Sequence, residues 1–192
     1  MYKATFGDFE LEIITEQDYN RLQYNLVHCH PEDDGYTPTS IYGIKIYKGG
    51  FYKTTMVMAT GWTTSIGSNS VIIDEESLIL ICSNKVFNLQ LPDLQLNWVV
   101  VSDLSTCFGI YQYQDSYIVH GEVEITRIDR SGRIIWQVSA RDIFVNVEDM
   151  GVAFQMLPEY IELMDWLGYR YKLFYDGTIV DDGMAPLATK HE

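Results

Sequence analysis

Two places in the chain gather side chains that could do chemistry. His28, Cys29 and His30 form one tripeptide, with Asp33 and Asp34 just beyond. Imidazole, thiolate and carboxylate are the usual ligands of zinc. On an extended chain, though, His28 and His30 share one face and Cys29 takes the other, so the three cannot easily meet on one ion. Cys82, Cys107 and His120 could complete a site only through the fold. The segment therefore reads as a strand end, with Cys29 toward the core and the histidines at the surface, and no metal is assigned. The second place is His120, Glu122 and Asp142, with Arg141 alongside. A histidine near carboxylates is the raw material of acid–base catalysis. Yet His120-Gly121 falls at a strand junction, where an imidazole more often bonds to backbone. His120, Glu122, Arg141 and Asp142 are taken as candidate binding residues, and no catalytic residue is assigned. No Ser-centred elbow, phosphate-cradling glycine loop or HExxH occurs, and no cofactor is expected.

Four of the six arginines, Arg127, Arg130, Arg133 and Arg141, fall within fifteen residues. Set among so many acids, they are expected to pair structurally, although guanidinium groups also bind carboxylate and phosphate. Trp98 and Trp136 recur 38 residues apart and are expected to pack between sheets. A core ring of that kind puts Trp136→Ala at roughly 3–5 kcal/mol.

The elements that must position these residues are strands. Phe9, Leu11 and Ile13 alternate with Glu10 and Glu12, the pattern of a strand with one wet face. Residues 31–38, with two prolines, a glycine and three acids, form the clearest loop. Gly49-Gly50 between residues 41–47 and 51–59 marks a hairpin. From Val71 onward, short apolar runs come in groups of four: 71–73, 78–81, 86–89 and 96–100, then two further groups ending near 138 and 180. Residues 116–136 are the best-marked meander, with Asp129-Arg130-Ser131-Gly132 as its turn. Units of about 40 residues with four strands each are the sequence mark of propeller blades.

Within that meander, Arg127-Ile-Asp-Arg-Ser-Gly-Arg-Ile-Ile-Trp136 resembles the Asp-x-x-Gly-x-x-x-Trp hairpin of quinoprotein-like β-propeller repeats. Residues 172–180 keep the Asp-Gly and lose the tryptophan. Residues 89–98 keep the tryptophan but carry Pro92-Asp93-Leu94 where the glycine turn belongs. The resemblance spans about residues 71–182 and implies an all-β fold of antiparallel four-stranded meanders, repeated about three times, as in an incomplete propeller. The alternative is a β-sandwich. It implies no cofactor chemistry, because no cofactor-binding residue of that family is recognisable. One domain, 1–192, is expected, with residues 1–60 as N-terminal strands and hairpin; either residues 1–59 close the structure, or the meanders stack as an open or sandwich-like arrangement.

Acids outnumber bases 27 to 13, for a net charge of −14. The halves carry −6 (12 acids, 6 bases, residues 1–96) and −8 (15 acids, 7 bases, residues 97–192), so the charge is no tail. Such a surface repels phosphate backbones and anionic lipid, which excludes nucleic acid and membrane as partners and favours a basic protein. Three widely spaced cysteines form no disulfide framework, and the first residues lack the basic start and apolar run of a leader. The expectation is a non-catalytic, cytoplasmic protein-binding module. In charge and size it is similar to small acidic bacterial immunity proteins, which neutralise a basic toxin. The alternatives are a small metal-dependent hydrolase using the His28–His30 loop with His120, or a structural protein that forms homo-oligomers through open sheet edges.

Overall fold

The structure, a computed structural model, describes residues 1–17, 20–62, 65–145 and 152–184. Residues 1–59 build a five-stranded sheet from β1 (Tyr2–Phe6), β2 (Phe9–Thr15), β3 (Leu26–His28), β4 (Ser40–Lys48) and β5 (Phe51–Ala59). Its order is β1-β2-β4-β5-β3, antiparallel throughout except for β3, which lies parallel to β5 at the edge. Three four-stranded meanders follow, each in chain order. The second sheet holds β6 (Val71–Asp74), β7 (Ser77–Cys82), β8 (Lys85–Gln90) and β9 (Gln95–Val101). The third holds β10 (Cys107–Tyr113), β11 (Ser116–Gly121), β12 (Glu124–Asp129) and β13 (Ile134–Ser139). The fourth holds β14 (Phe154–Met156), β15 (Tyr160–Met164), β16 (Tyr169–Phe174) and β17 (Ile179–Met184). The three predicted meanders are therefore present, and residues 1–59 supply a further sheet of their own. Among the described residues the only helical pieces are three single 3-10 turns, and no helix is long and apolar enough to cross a membrane.

The sheets stack face on face in sequence order. Leu11, Ile13, Tyr42 and Ile44 of the first meet Leu78, Leu80, Phe87 and Leu89 of the second. Ile79, Ile81 and Val86, on the second sheet's other face, meet Ile110, Tyr117, Val119 and Ile128 of the third. Ile118 and Ile125 of the third meet Ile161, Leu163 and Leu173 of the fourth. A strand buried on both faces cannot alternate in polarity, which explains the unbroken Leu78-Ile79-Leu80-Ile81-Cys82 run of β7. No apolar cluster among the described residues joins the fourth sheet to the first, so the stack is open, like part of a propeller. Its first sheet is sealed from outside by its own chain: Tyr24, Val27 and Cys29 cover Ile41, Met56 and Met58.

One device repeats along the stack. In β8–β9 and β12–β13 the register slips by one residue, placing Trp98 opposite Asn88 and Trp136 opposite Arg127. Such a bulge bends the strand and re-aims its side chain. Trp98 thereby reaches the β12–β13 turn, where its indole N–H donates to the Arg130 carbonyl at 2.9 Å. Trp136 reaches the β16–β17 turn and donates to the Tyr175 carbonyl at 3.0 Å. Each ring lies against the turn glycine two residues beyond that carbonyl. A Cβ on Gly132 would stand 2.7 Å from the Trp98 ring, and one on Gly177 2.8 Å from that of Trp136. Both glycines have φ near +90°, at 86° and 96°, so glycine is required twice over, by conformation and by the ring. At the join of first and second sheets there is no tryptophan. Leu94 takes the glycine's place at φ 59° and is fully buried, while His28 crosses the join and bonds to the Leu94 carbonyl at 2.8 Å. In the fourth sheet Val180 stands opposite Lys172, where tryptophan stood before, and the bulge is missing at that point.

The tryptophans pack at the edges of the inter-sheet clusters and are only partly buried. Trp136→Ala is accordingly expected to cost about 2–4 kcal/mol, toward the low end of core values. Trp136→Phe should lose little more than the indole hydrogen bond, about 1 kcal/mol. Gly132→Ala should match the alanine variant, since it both strains the turn and expels Trp98. Urea unfolding of the three variants measures this. A Gly132→Ala loss inside the ±0.5 kcal/mol typical of surface changes would contradict the ring-on-glycine contact.

Candidate functional site

Antiparallel meanders sort their connections between two ends. The first–second and third–fourth strand turns leave from one end, which Lys48–Asp8 (2.6 Å) and Arg130–Glu75 (3.1 Å) tie together. The second–third turns and the links between sheets leave from the opposite end. All four predicted binding residues lie at this loop end, around the β11–β12 turn and the link into the fourth sheet.

The structure brings their backbones together and sends their side chains apart. The link folds back over the β11–β12 turn, where the Phe144 N–H donates to the Glu122 carbonyl at 2.6 Å. The His120 imidazole meets the Phe144 carbonyl at 3.1 Å through Nε2. A carbonyl only accepts, so Nε2 carries the hydrogen and Nδ1 is the unprotonated nitrogen. The ring stacks on Phe154 at 4.6 Å and meets Phe108 edge-on at 5.3 Å. These rings and Phe144 line an apolar cavity of about 300 Å³. Burial depresses His120 to about 4, so it is neutral at physiological pH and a weak base. Glu122 accepts from the Ser105 hydroxyl. Arg141 pairs with Asp181 at 2.6 Å and lies 4.4 Å from the Tyr169 ring centre. Asp142 accepts from the Ile143 amide at 2.8 Å.

Beneath these residues runs a buried polar network that sequence reasoning did not find. Asp103, fully buried, takes four backbone N–H bonds. Oδ1 accepts from Ser105 and Thr106 at 2.6 and 3.0 Å, and Oδ2 from Val123 and Glu124 at 2.9 and 2.7 Å. It locks the second-to-third sheet link onto the β11–β12 turn. A Cβ on Gly121 would lie 2.1 Å from its Oδ2, so Gly121 is open space kept for this carboxylate. Asp33, from the loop of residues 31–38, forms a buried ion pair with Lys85 at 3.2 Å and accepts from the Thr60 hydroxyl. Burial pushes its carboxyl upward, but the bonds from Thr60 and Lys85 outweigh that and hold it below its ordinary value. The Thr106 hydroxyl donates to the Trp62 carbonyl at 3.0 Å, and the Trp166 amide to the Ile143 carbonyl at 2.8 Å. The connections named here are thus pinned to their neighbours. Asp33, Lys85 and Asp103 look like ordinary surface residues in sequence. Only the Asp103-Leu-Ser-Thr run, a common turn-forming pattern, could have hinted at one of them.

The metal-like tripeptide is dispersed. His28 spans the first join, His30 caps the Pro31–Asp33 turn by accepting from the Glu32 amide at 3.2 Å, and Asp33 belongs to Lys85. His120 lies two joins away. No group of three or more metal-ligating side chains is found among the described residues. The four arginines are all engaged, Arg130 with Asp74 and Glu75, Arg133 with Asp129, Arg141 with Asp181, and Arg127 with Ser116 and the Tyr175 carbonyl.

A neutral buried imidazole makes stability fall with acid. Unfolded, His120 titrates near 6.5 and folded near 4, so the unfolded chain binds the extra proton between those values and folding weakens as pH falls through that window. About 2 kcal/mol should be lost from this residue between about pH 7.5 and pH 5. Urea unfolding at both pH values measures it: His120→Gln should flatten the difference by that amount, and an unchanged difference would contradict the buried neutral ring.

No protein-family model matches the chain, and no curated protein matches its sequence. Similar solved structures include the computationally designed Ika8 protein (10% identity, TM-score 0.47, 77% of this chain and 47% of that one). The AfRom2 CNH domain is similar at 12% identity and a TM-score of 0.43, over 76% of this chain and 50% of that one. BamB from Moraxella catarrhalis is similar at 9% identity and a TM-score of 0.36, over 80% of this chain and 76% of that one. The chain spans about half the length of the first two. At such scores these likenesses carry no argument, and the propeller-like architecture rests on the pairing and stacking of the chain's own sheets.

Proposed function

We propose that this chain is a non-catalytic protein-binding module of the cytoplasm, acting on a basic protein in the manner of an immunity protein. The observation that carries the reading is how the fold spends its bases. Lys3, Lys48, Lys85, Arg130, Arg133, Arg141 and Lys172 are each tied to a carboxylate of the chain itself. Arg127 is turned inward onto a carbonyl. Asp34, Glu76, Asp93, Asp115, Glu159 and Asp176 remain exposed and make no ion pair among the described residues. The surface field is therefore that of uncompensated carboxylates, which draws a basic partner and speeds encounter. Of the quinoprotein-like hairpin residues, Gly132 and Trp136 serve sheet stacking and Asp129 holds the turn, which supports reading the repeat as scaffold. Glu122, Arg141 and Asp142 belong to the loop-end surface that this scaffold presents, with His120 in the cavity beneath it. A hydrolase built on His28, His30 and His120 has less support, because each imidazole is engaged elsewhere: His28 with the Leu94 carbonyl, His30 with the Glu32 amide and His120 with the Phe144 carbonyl.

Affinity capture on the immobilised chain, followed by titration of the captured protein after purification, tests the reading. The partner should be basic, and its Kd should weaken roughly tenfold or more between about 50 and 300 mM salt. A Kd that ignores salt would refute steering by these carboxylates.

A further inference from the structure

Both ends of the stack are acidic, but they differ in what else they show. The tips at the turn end are Asp, Glu, Gln, Gly, Ser, Pro and Lys or Arg, with Tyr52 and Phe174 exposed on the strands just behind them. The loop end carries large apolar side chains in water: Leu104 at 76% exposure, Trp62 at 65%, Leu167 at 51% and Trp166 at 49%. Single exposed apolar residues are commonplace. Here they sit on three separate connections gathered at one end: the link from first to second sheet, the link from second to third, and the β15–β16 turn. Each connection is held at its base. The Trp62 carbonyl is bonded by Thr106, Leu104 follows the anchored Asp103, and the Trp166 amide is bonded to Ile143. Side chains on backbone fixed in this way lose little freedom on binding, and aromatic anchors on rigid supports dominate interface energetics. Around them stand the carboxylates Glu32, Asp34, Glu122 and Glu124. Two cations at this end are already committed, Lys85 to Asp33 and Arg141 to Asp181.

We propose that the loop end is the docking surface, and that its occupant is a basic polypeptide segment carrying bulky apolar side chains, whose cations meet Glu122 and Glu124 while its apolar groups cover Trp62, Leu104, Trp166 and Leu167. This rests on the basic-partner reading and adds which end binds and what the partner must offer besides charge. An acidic rim opposes an anionic bilayer on the same surface, and it opposes a second copy of this chain through like charge.

The test uses two synthetic peptides of equal charge, one alternating Lys and Leu and one alternating Lys and Ser, with binding followed by fluorescence anisotropy. The Lys–Leu peptide should bind at least tenfold more tightly. The double variant Trp166→Ser/Leu167→Ser, exposed and checked for an unchanged melting temperature, should abolish most of that advantage. Glu122→Gln/Glu124→Gln should weaken both peptides. The turn-end triple variant Glu76→Gln/Asp93→Asn/Asp115→Asn removes three of the steering carboxylates, so it should weaken both peptides alike and keep the Lys–Leu advantage. Equal binding of the two peptides, or binding lost only in the turn-end variant, would overturn the loop-end assignment while leaving a basic partner standing. Neither peptide binding would overturn the basic-partner reading itself. Light scattering that shows a wild-type dimer made monomeric by Trp166→Ser/Leu167→Ser would assign the surface to a second copy instead.

Discussion

The structure depends on a contact in which an aromatic ring occupies the space a side chain would need. Gly132 and Gly177 have positive φ and no Cβ, and in each case the vacated volume holds a tryptophan from the preceding sheet. The contact sets distance and angle between sheets at once, because the indole must also place its N–H on one particular carbonyl. Dispersion and area burial hold sheets together without direction. The ring, the bond and the bulge that aims them supply the direction, and they fix which turn of the next sheet lies beside which strand.

That alignment is what gathers the connections at one end. Once the sheets are in register, Asp103 can bridge the β11–β12 turn and Asp33 can reach Lys85 in the next sheet. Both are expensive arrangements. A carboxylate taken out of water must be repaid in hydrogen bonds, and Asp103 has four. The Asp33–Lys85 pair is weak evidence of stability for the same reason, but removing either partner would strand a buried charge. The network therefore makes the loops conditional on the stack: displaced sheets would leave ions unpaired. The described parts of this surface are tied to one another at several points, although connections are ordinarily the mobile parts of a fold.

The strands were legible because polarity and turn chemistry are local. The Glu10–Glu12 alternation, the Gly49-Gly50 hairpin and the Asp129–Gly132 turn each declare themselves within a few residues. The repeat was legible through Trp98 and Trp136, although sequence alone pointed to rings inside the core and not at its margin. Residues 1–59 were harder. Their outermost strand, β3, pairs in parallel across a long loop, and parallel pairing leaves no turn signal. The site was the least legible. His120, Glu122, Arg141 and Asp142 were placed at one end of the molecule by topology, but their side chains diverge, which spacing in sequence cannot reveal. Asp33 reads as a loop acid because nothing near it in sequence is its partner; Lys85 is more than fifty residues away.

Each sheet is made from one unbroken stretch of chain, and the first has Tyr24 and Cys29, which flank its strand β3, packed with Val27 of that strand on its outer face. A polypeptide emerging from a ribosome can therefore finish the first sheet with a single apolar face bare. The next forty or so residues close over that face and expose one of their own. At no step does the growing protein show more than one uncovered face, which limits the surface through which unfinished chains stick to each other. The direction of synthesis and the direction of assembly coincide, and the tryptophans follow that order too, each waiting on its strand for a glycine turn that has yet to be made.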